Sequence, residues 1–170
     1  LIPERLPDFG NALIRMAEQS PAGMPVWPLQ GTETGTMTGY HSAAVIAEAC
    51  NKGIAGIDYP RAYKAMMKRA MVDDYRGLDH YRKMHYIPCD LEEESVSKTF
   101  EYCYDDWSIA HVAKKRVHED DAKRLADRSL NYGKCYDKQI NFARPKVANG
   151  ELAPGFDPLG APGRRRGDDA

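Results

Sequence analysis

Several things are missing from this chain, and each absence excludes a class of function. No stretch of its 170 residues approaches the apolar length of a membrane-spanning helix, so membrane insertion is not expected. No basic start followed by an apolar run reads as a secretory signal. Charge of one sign is also absent. Lys and Arg total 24 against 25 Asp and Glu, a formal net charge of −1, which gives no electrostatic footprint for nucleic acid. The one basic run, Arg164-Arg165-Arg166, is followed by Asp168 and Asp169 and reads as a solvated, partly neutralised connection. Paired cysteines are missing too: Cys50, Cys89, Cys103 and Cys135 are widely spaced, with no C-x-x-C, and read as small buried hydrophobes. His41, His80, His85, His111 and His118 form no H-E-x-x-H pair, and the chain has no EF-hand loop, G-x-S-x-G elbow, Walker loop or Rossmann glycine pattern. With Leu1 in place of an initiator Met and a polar tail, the chain reads as a fragment. Its 42% apolar and 29% charged composition is that of a globular domain.

What is present is helical periodicity. Phe9 to Ser20 carries Leu13, Ile14, Met16 and Ala17 on one side and stops before Pro21 and Gly23. Thr36 to Lys52 is apolar nearly all round through Ala43-Ala44-Val45-Ile46-Ala47, which predicts an inner helix. Asp58 with Pro60 caps a helix to Val72 whose charged face belongs outside. Asp90 and Glu93 resemble a capping box for a second inner helix to Lys115, with Val96, Phe100, Cys103, Trp107 and Ala110 at steps of three and four. Glu119 to Tyr132, with Ala122, Leu125 and Ala126 on one side, predicts another outer helix. From Asp137 on, alternation around Phe142, Arg144 and Val147 before Asn149-Gly150 predicts a short β-hairpin within 137–153. The fold class is therefore mainly α, with inner and outer helices alternating. The inner helices start roughly sixty residues apart, longer than tetratricopeptide or HEAT-type repeats and suited to a ring of helical hairpins.

Chemistry is expected where the inner helices begin, because free N–H groups there serve a ligand's oxygens. Polar, aromatic and glycine residues crowd the run Thr34-Gly35-Thr36-Met37-Thr38-Gly39-Tyr40-His41-Ser42. Trp27, between Pro25 and Pro28 on a stiffened loop, offers an apolar platform beside Glu33, Thr36 and His41, as sugar sites do. The competing structural role for Trp27 is a plug for the end of a helical barrel, and for His41 a buried histidine satisfied by a neighbour. On the second inner helix, Glu101 and Asp105 share a face four residues apart with Lys98 one turn before, an unfavourable pairing unless compensated. Lys98 compensates it by a salt bridge, or a ligand draws on the carboxylates. Asp105 and Asp106 project about 100° apart on a helix and cannot act together on one substrate. Asp73-Asp74 and Asp120-Asp121 read as solvated ends and caps.

Two blocks then carry a resemblance. Pro25-Val26-Trp27-Pro28-Leu29-Gln30-Gly31-Thr32-Glu33-Thr34-Gly35-Thr36-Met37-Thr38-Gly39-Tyr40-His41 and Glu94-Ser95-Val96-Ser97-Lys98-Thr99-Phe100-Glu101-Tyr102-Cys103-Tyr104-Asp105-Asp106-Trp107 resemble the catalytic region of glycoside hydrolase family 92, the calcium-dependent exo-acting α-mannosidases. Tyr86-Ile87-Pro88, Arg128-Ser129-x-Asn131-Tyr132 and Phe156-Asp157-Pro158 extend the match. The resemblance implies residues 1–170 are a fragment of one (α/α)6-barrel catalytic domain, without the N-terminal β-sandwich and the C-terminal part of the barrel. It implies an inverting reaction by paired carboxyl groups on a mannose-containing glycan or glycoprotein, removing terminal α-linked, α-1,2 mannose, in an extracellular or periplasmic setting. The family's general acid, general base and principal calcium segments lie downstream of the matched motifs, so no catalytic or metal role is carried onto a residue here. The expected pocket residues are Trp27, Glu33, Thr36, His41, Lys98 and Glu101, with Asp105. The rival readings are a non-catalytic helical binding or scaffold module and another (α/α)6 carbohydrate-active enzyme.

Overall fold

The computed structural model describes residues 2–21 and 23–160, so the Arg164–Arg166 run lies outside the described residues. Six α-helices dominate the described residues. The first, α1 (Leu6–Gln19), follows a 3-10 turn at Pro3–Arg5 and turns Gly10, Ile14 and Ala17 inward. Next come α2 (Ser42–Asn51), α3 (Tyr59–Ala70) and the short α4 (Leu78–Met84). The longest helix is α5 (Ser95–Lys115), and α6 (Glu119–Ser129) folds back along it before a 3-10 stretch, Leu130–Cys135.

The predicted layering is present. Along α5, buried residues occur on most of the circumference, from Ser95 and Thr99 through Tyr102, Cys103 and Ile109 to Val112 and Ala113, as an inner helix requires. It packs directly on α2, while α6 lies along its other flank and α1 and α3 close over α2. The outer helices are amphipathic: α6 buries Ala122, Leu125 and Ser129 and leaves most of its charged residues in water. Ile14, Ile46, Met66, Tyr81, Ile109 and Leu125 meet in one continuous core. Burying each such side chain contributes about 1.5–3 kcal/mol relative to exposure.

The ends differ from the sequence expectation in informative ways. Asp58 caps α3 as predicted, its Oδ1 accepting the Arg61 N–H at 3.1 Å. The Asp90/Glu93 capping box is absent, since α5 begins only at Ser95, behind a left-handed Glu94, and Asp90 instead accepts the Ala148 N–H. Residues 36–41 were expected as the first turn of α2 but form a loop, because two left-handed glycines and a carboxylate that takes the Tyr40 N–H hold them out of the helix. The predicted hairpin region holds two small ones: β3 (Tyr136–Asp137) pairs with β4 (Phe142–Ala143), and Lys146 bridges to Leu152 across the Asn149-Gly150 turn. Phe100 and Trp107, assigned to the buried face of α5, are exposed with Tyr104, on a flank that the described residues do not cover. All four cysteines are free, and three of them are buried.

Candidate functional site

The segment between α1 and α2 is built around one carboxylate. Pro28–Leu29 (β1) and Thr32–Glu33 (β2) form an antiparallel hairpin, tightened by Gln30 and Gly31, both at positive φ as a type I′ turn requires. That turn carries Glu33 back toward its own loop. Its carboxylate accepts the backbone N–H groups of Val26 (2.6 Å), Gly35 (2.8 Å) and Trp27 (3.0 Å). Burial pushes Glu33 up, but these backbone donors outweigh it and leave the group below the usual carboxylate value. Thr34 adds a bond from its hydroxyl to the Trp27 carbonyl (2.7 Å) and accepts one from the Thr36 hydroxyl (2.8 Å). Glu33 thus shapes the loop and Thr36 lies at its exposed edge. Trp27 is 49% exposed. With Leu29 and Met37 it gives the loop an exposed apolar rim.

The second half of the loop is tied to α5. Arg76 donates to the carbonyls of Gly35 and Met37, both at 2.7 Å, and pairs with Glu94 at the start of α5 (3.2 Å). The Tyr102 hydroxyl in turn holds the Arg76 carbonyl (3.1 Å). At the other end His41 lies between two carboxylates: Nε2 meets Glu101 Oε2 at 2.6 Å and Nδ1 meets Asp105 Oδ1 at 3.0 Å. Asp105 Oδ2 takes the Tyr40 N–H (2.8 Å). The Asp105 hydrogen bond, with both neighbouring charges, raises His41 above its ordinary value despite partial burial. Burial pushes Asp105 up to about 6, against the pull of His41. Gly39 permits this approach, for a Cβ there would lie 2.7 Å from His41 Cε1 and 3.0 Å from Glu101 Cβ.

So the structure brings His41, Glu101 and Asp105 together, and separately Trp27, Glu33 and Thr36 on the adjoining loop. Lys98 does not compensate Glu101 and Asp105. It is buried against Glu92, with Glu94 at 3.9 Å, and the imidazole of His41 takes the compensating place. The sequence reading also missed Arg76 and Gly39. Arg76 lies about forty residues from the carbonyls it holds, beyond the reach of any periodicity, whereas Gly39 just before Tyr40-His41 was a visible signal of close approach.

Asp106, next to Asp105, belongs to the other flank of α5. It is buried in a bidentate pair with Arg128 (2.5 and 2.6 Å) and accepts the Tyr81 hydroxyl at 2.8 Å. A cleft of about 850 Å³ between α4 and α6 contains none of the predicted site residues, and its Arg82, Arg124 and Arg128 are already paired with Asp73, Asp121 and Asp106. A smaller cleft of about 280 Å³ lies behind the hairpin, with Thr32 and Glu33 in its wall. Among the described residues no group of three His, Cys, Asp or Glu side chains is arranged to hold a metal ion. Nor is any described helix long and apolar enough to cross a membrane.

Known proteins share the family and fold of this chain. Residues 1–169 match the glycosyl hydrolase family 92 catalytic domain. The family GH92 alpha-mannosidase BT3965 from Bacteroides thetaiotaomicron, solved in complex with mannoimidazole, is 39% identical with a TM-score of 0.88, over 92% of this chain and 21% of that one. The family GH92 inverting mannosidase BT2199 from Bacteroides thetaiotaomicron VPI-5482 is 30% identical with a TM-score of 0.86, over 92% of this chain and 22% of that one. The chain therefore spans about a fifth of the length of the solved structures it matches. No curated protein matches it.

Proposed function

The chain belongs to glycosyl hydrolase family 92, and on that premise we propose that it forms one wall of the sugar pocket in a parent α-mannosidase. The observation that carries this reading is the joint clamp on residues 35–41. Arg76 and the Glu101–His41–Asp105 cluster hold a polar loop rigidly beside an exposed Trp, which supplies a flat apolar platform next to hydrogen-bonding groups. Terminal mannose presents one apolar face and several hydroxyls, and this wall has complementary groups for both. The reading extends to an (α/α)6 barrel completed by the rest of the parent polypeptide, to exo-removal of α-linked, α-1,2 mannose, to a mannose-bearing glycan or glycoprotein as substrate, and to an exported enzyme.

The chemistry proposed is inversion, in which one carboxylic acid protonates the leaving oxygen while a carboxylate activates water on the opposite face. Neither role is assigned to a residue described here. Glu33 has its oxygens filled by backbone N–H groups, Asp105 by His41 and Tyr40, and Asp106 by Arg128 and Tyr81. Calcium, which would grip two sugar hydroxyls, does not fit these residues alone: Glu101 and Asp105 are bridged by an imidazole, not gathered into an oxygen cage. Its ligands are assigned to the rest of the parent.

This chain alone is expected to be inactive. The test is to incubate the parent polypeptide with α-mannosides, including an α-1,2-linked disaccharide, and to follow the first anomer released by NMR, with and without a chelator. Initial release of β-mannose supports the reading. Retention of configuration, or turnover only of other glycosides, overturns it. A parent that binds glycans without hydrolysing them establishes the non-catalytic module instead.

A further inference from the structure

Glu101 and Asp105 are one helical turn apart, with negative charges on the same flank of α5, an arrangement that by itself is repulsive. A single flat ring with N–H donors on two of its edges is suited to that gap. His41 reaches Glu101 Oε2 at 2.6 Å and Asp105 Oδ1 at 3.0 Å at once, which a lysine's point charge would not orient in the same way. The ring is itself held. The Tyr104 ring meets it edge-on at 5.7 Å between centroids, and the backbone of Gly39 passes so close that a methyl group would collide with it. The two carboxylates then differ. Asp105 is buried and both its oxygens are occupied. Glu101 has a side chain 37% exposed, and its Oε1 has no hydrogen-bond partner among the described residues. A carboxylate fixed at one oxygen and open at the other is a preorganised acceptor for an O–H group.

We infer that His41 is a positioning residue: held between Glu101 and Asp105, it fixes Glu101 so that the second carboxylate oxygen accepts a hydroxyl of the bound sugar. The substrate half of this inference rests on the mannoside reading above. The charged groups facing the ring are Glu101 and Asp105, both from α5, with the Tyr104 ring beside them. Asp106 and Arg128 are paired with each other on the next flank.

Two measurements on the parent polypeptide decide it. Imidazole C2-proton exchange followed by mass spectrometry gives the titration of His41 in place. The expected midpoint lies above the ordinary ~6.5 and falls in Glu101→Gln; a midpoint indifferent to Glu101→Gln overturns the positioning role. The second measurement is kcat/KM across monodeoxy-mannosides. In the wild type, loss of one particular hydroxyl is expected to lower kcat/KM by about tenfold or more, as for a hydrogen bond to a charged group. Glu101→Gln and His41→Gln should both abolish that discrimination while retaining it at the other hydroxyls. A uniform loss across the series would make His41 merely structural and overturn the inference. A wild-type parent that turns over no α-mannoside overturns the mannoside reading and the hydroxyl assignment with it, while the exchange measurement still decides the positioning role.

Discussion

Asp105 and Asp106 are neighbours in sequence and both fully buried, yet they serve opposite sides of α5. Asp106 faces the outer layer, where Arg128 and Tyr81 close a dry pair that also ties Arg128 to the Ala70 carbonyl at the end of α3. Asp105 faces the 23–41 loop, where its network continues through His41 to Glu101 and ends at a half-open carboxylate. One network is complete within the fold. The other stops at the surface with an unused acceptor. The difference teaches that burial alone does not single out a candidate carboxylate, and that the proposed one is the carboxylate left with an open acceptor at the solvent boundary.

Breaking the closed side should do the most damage. Asp106→Ala strands the buried Arg128 guanidinium, and the expected loss is about 3–5 kcal/mol of unfolding free energy in urea titrations. A double replacement, Asp106→Leu with Arg128→Met, should recover much of that loss. On the open side, Gly39→Ala adds a methyl group at φ +75, against His41 and Glu101. It should cost about 1–3 kcal/mol and weaken sugar binding by the parent, measured together by denaturation and calorimetry. A smaller and more local effect is expected for Glu33→Gln, which removes the charge shared by three backbone donors. Limited proteolysis should show nicking between residues 26 and 36 rising severalfold with the midpoint of global unfolding nearly unchanged.

The smallest effect is a pH signature that separates the two flanks. His41 is raised, so its stabilisation is present in full below the unfolded value of ~6.5 and is lost as pH rises through the higher folded value. Asp105, raised to about 6 by burial, has the same sense, favouring the fold as pH falls through that value. The stability gap between wild type and His41→Gln should therefore narrow as pH rises above the ordinary value of about 6.5. The gap between wild type and Asp106→Ala should stay level over the same rise. Urea midpoints below and above that value check this.

The helices with a wet face were legible because their periodicity is a surface property: α1, α3 and α6 appear within a few residues of expectation, as does the Asp58 cap. The seven-residue α4 was not, since it buries only Leu78 and Tyr81 and its other residues are largely charged. The first hairpin escaped notice because Gln30-Gly31 lacks the Asn-Gly signature. At the site, sequence reasoning nominates Trp27, Glu33, Thr36, His41, Lys98, Glu101 and Asp105, but partners are set by tertiary distance. Glu92, six residues from Lys98, is off the i,i+4 register and reaches it only because the chain bends before α5. His41 and Asp105 are 64 residues apart, and no local rule joins them.

The clamps on residues 23–41 share one property. Glu33 holds N–H groups, Arg76 holds carbonyls, and Asp105 holds the Tyr40 N–H, so the path of the loop is fixed largely through main-chain atoms. The side chains at its rim, Trp27, Leu29, Thr36 and Met37, are left out of that scaffolding apart from the Thr36 hydroxyl. Such a loop can change the groups it presents while keeping its shape, so single substitutions at its rim can alter the surface chemistry without disturbing the fold.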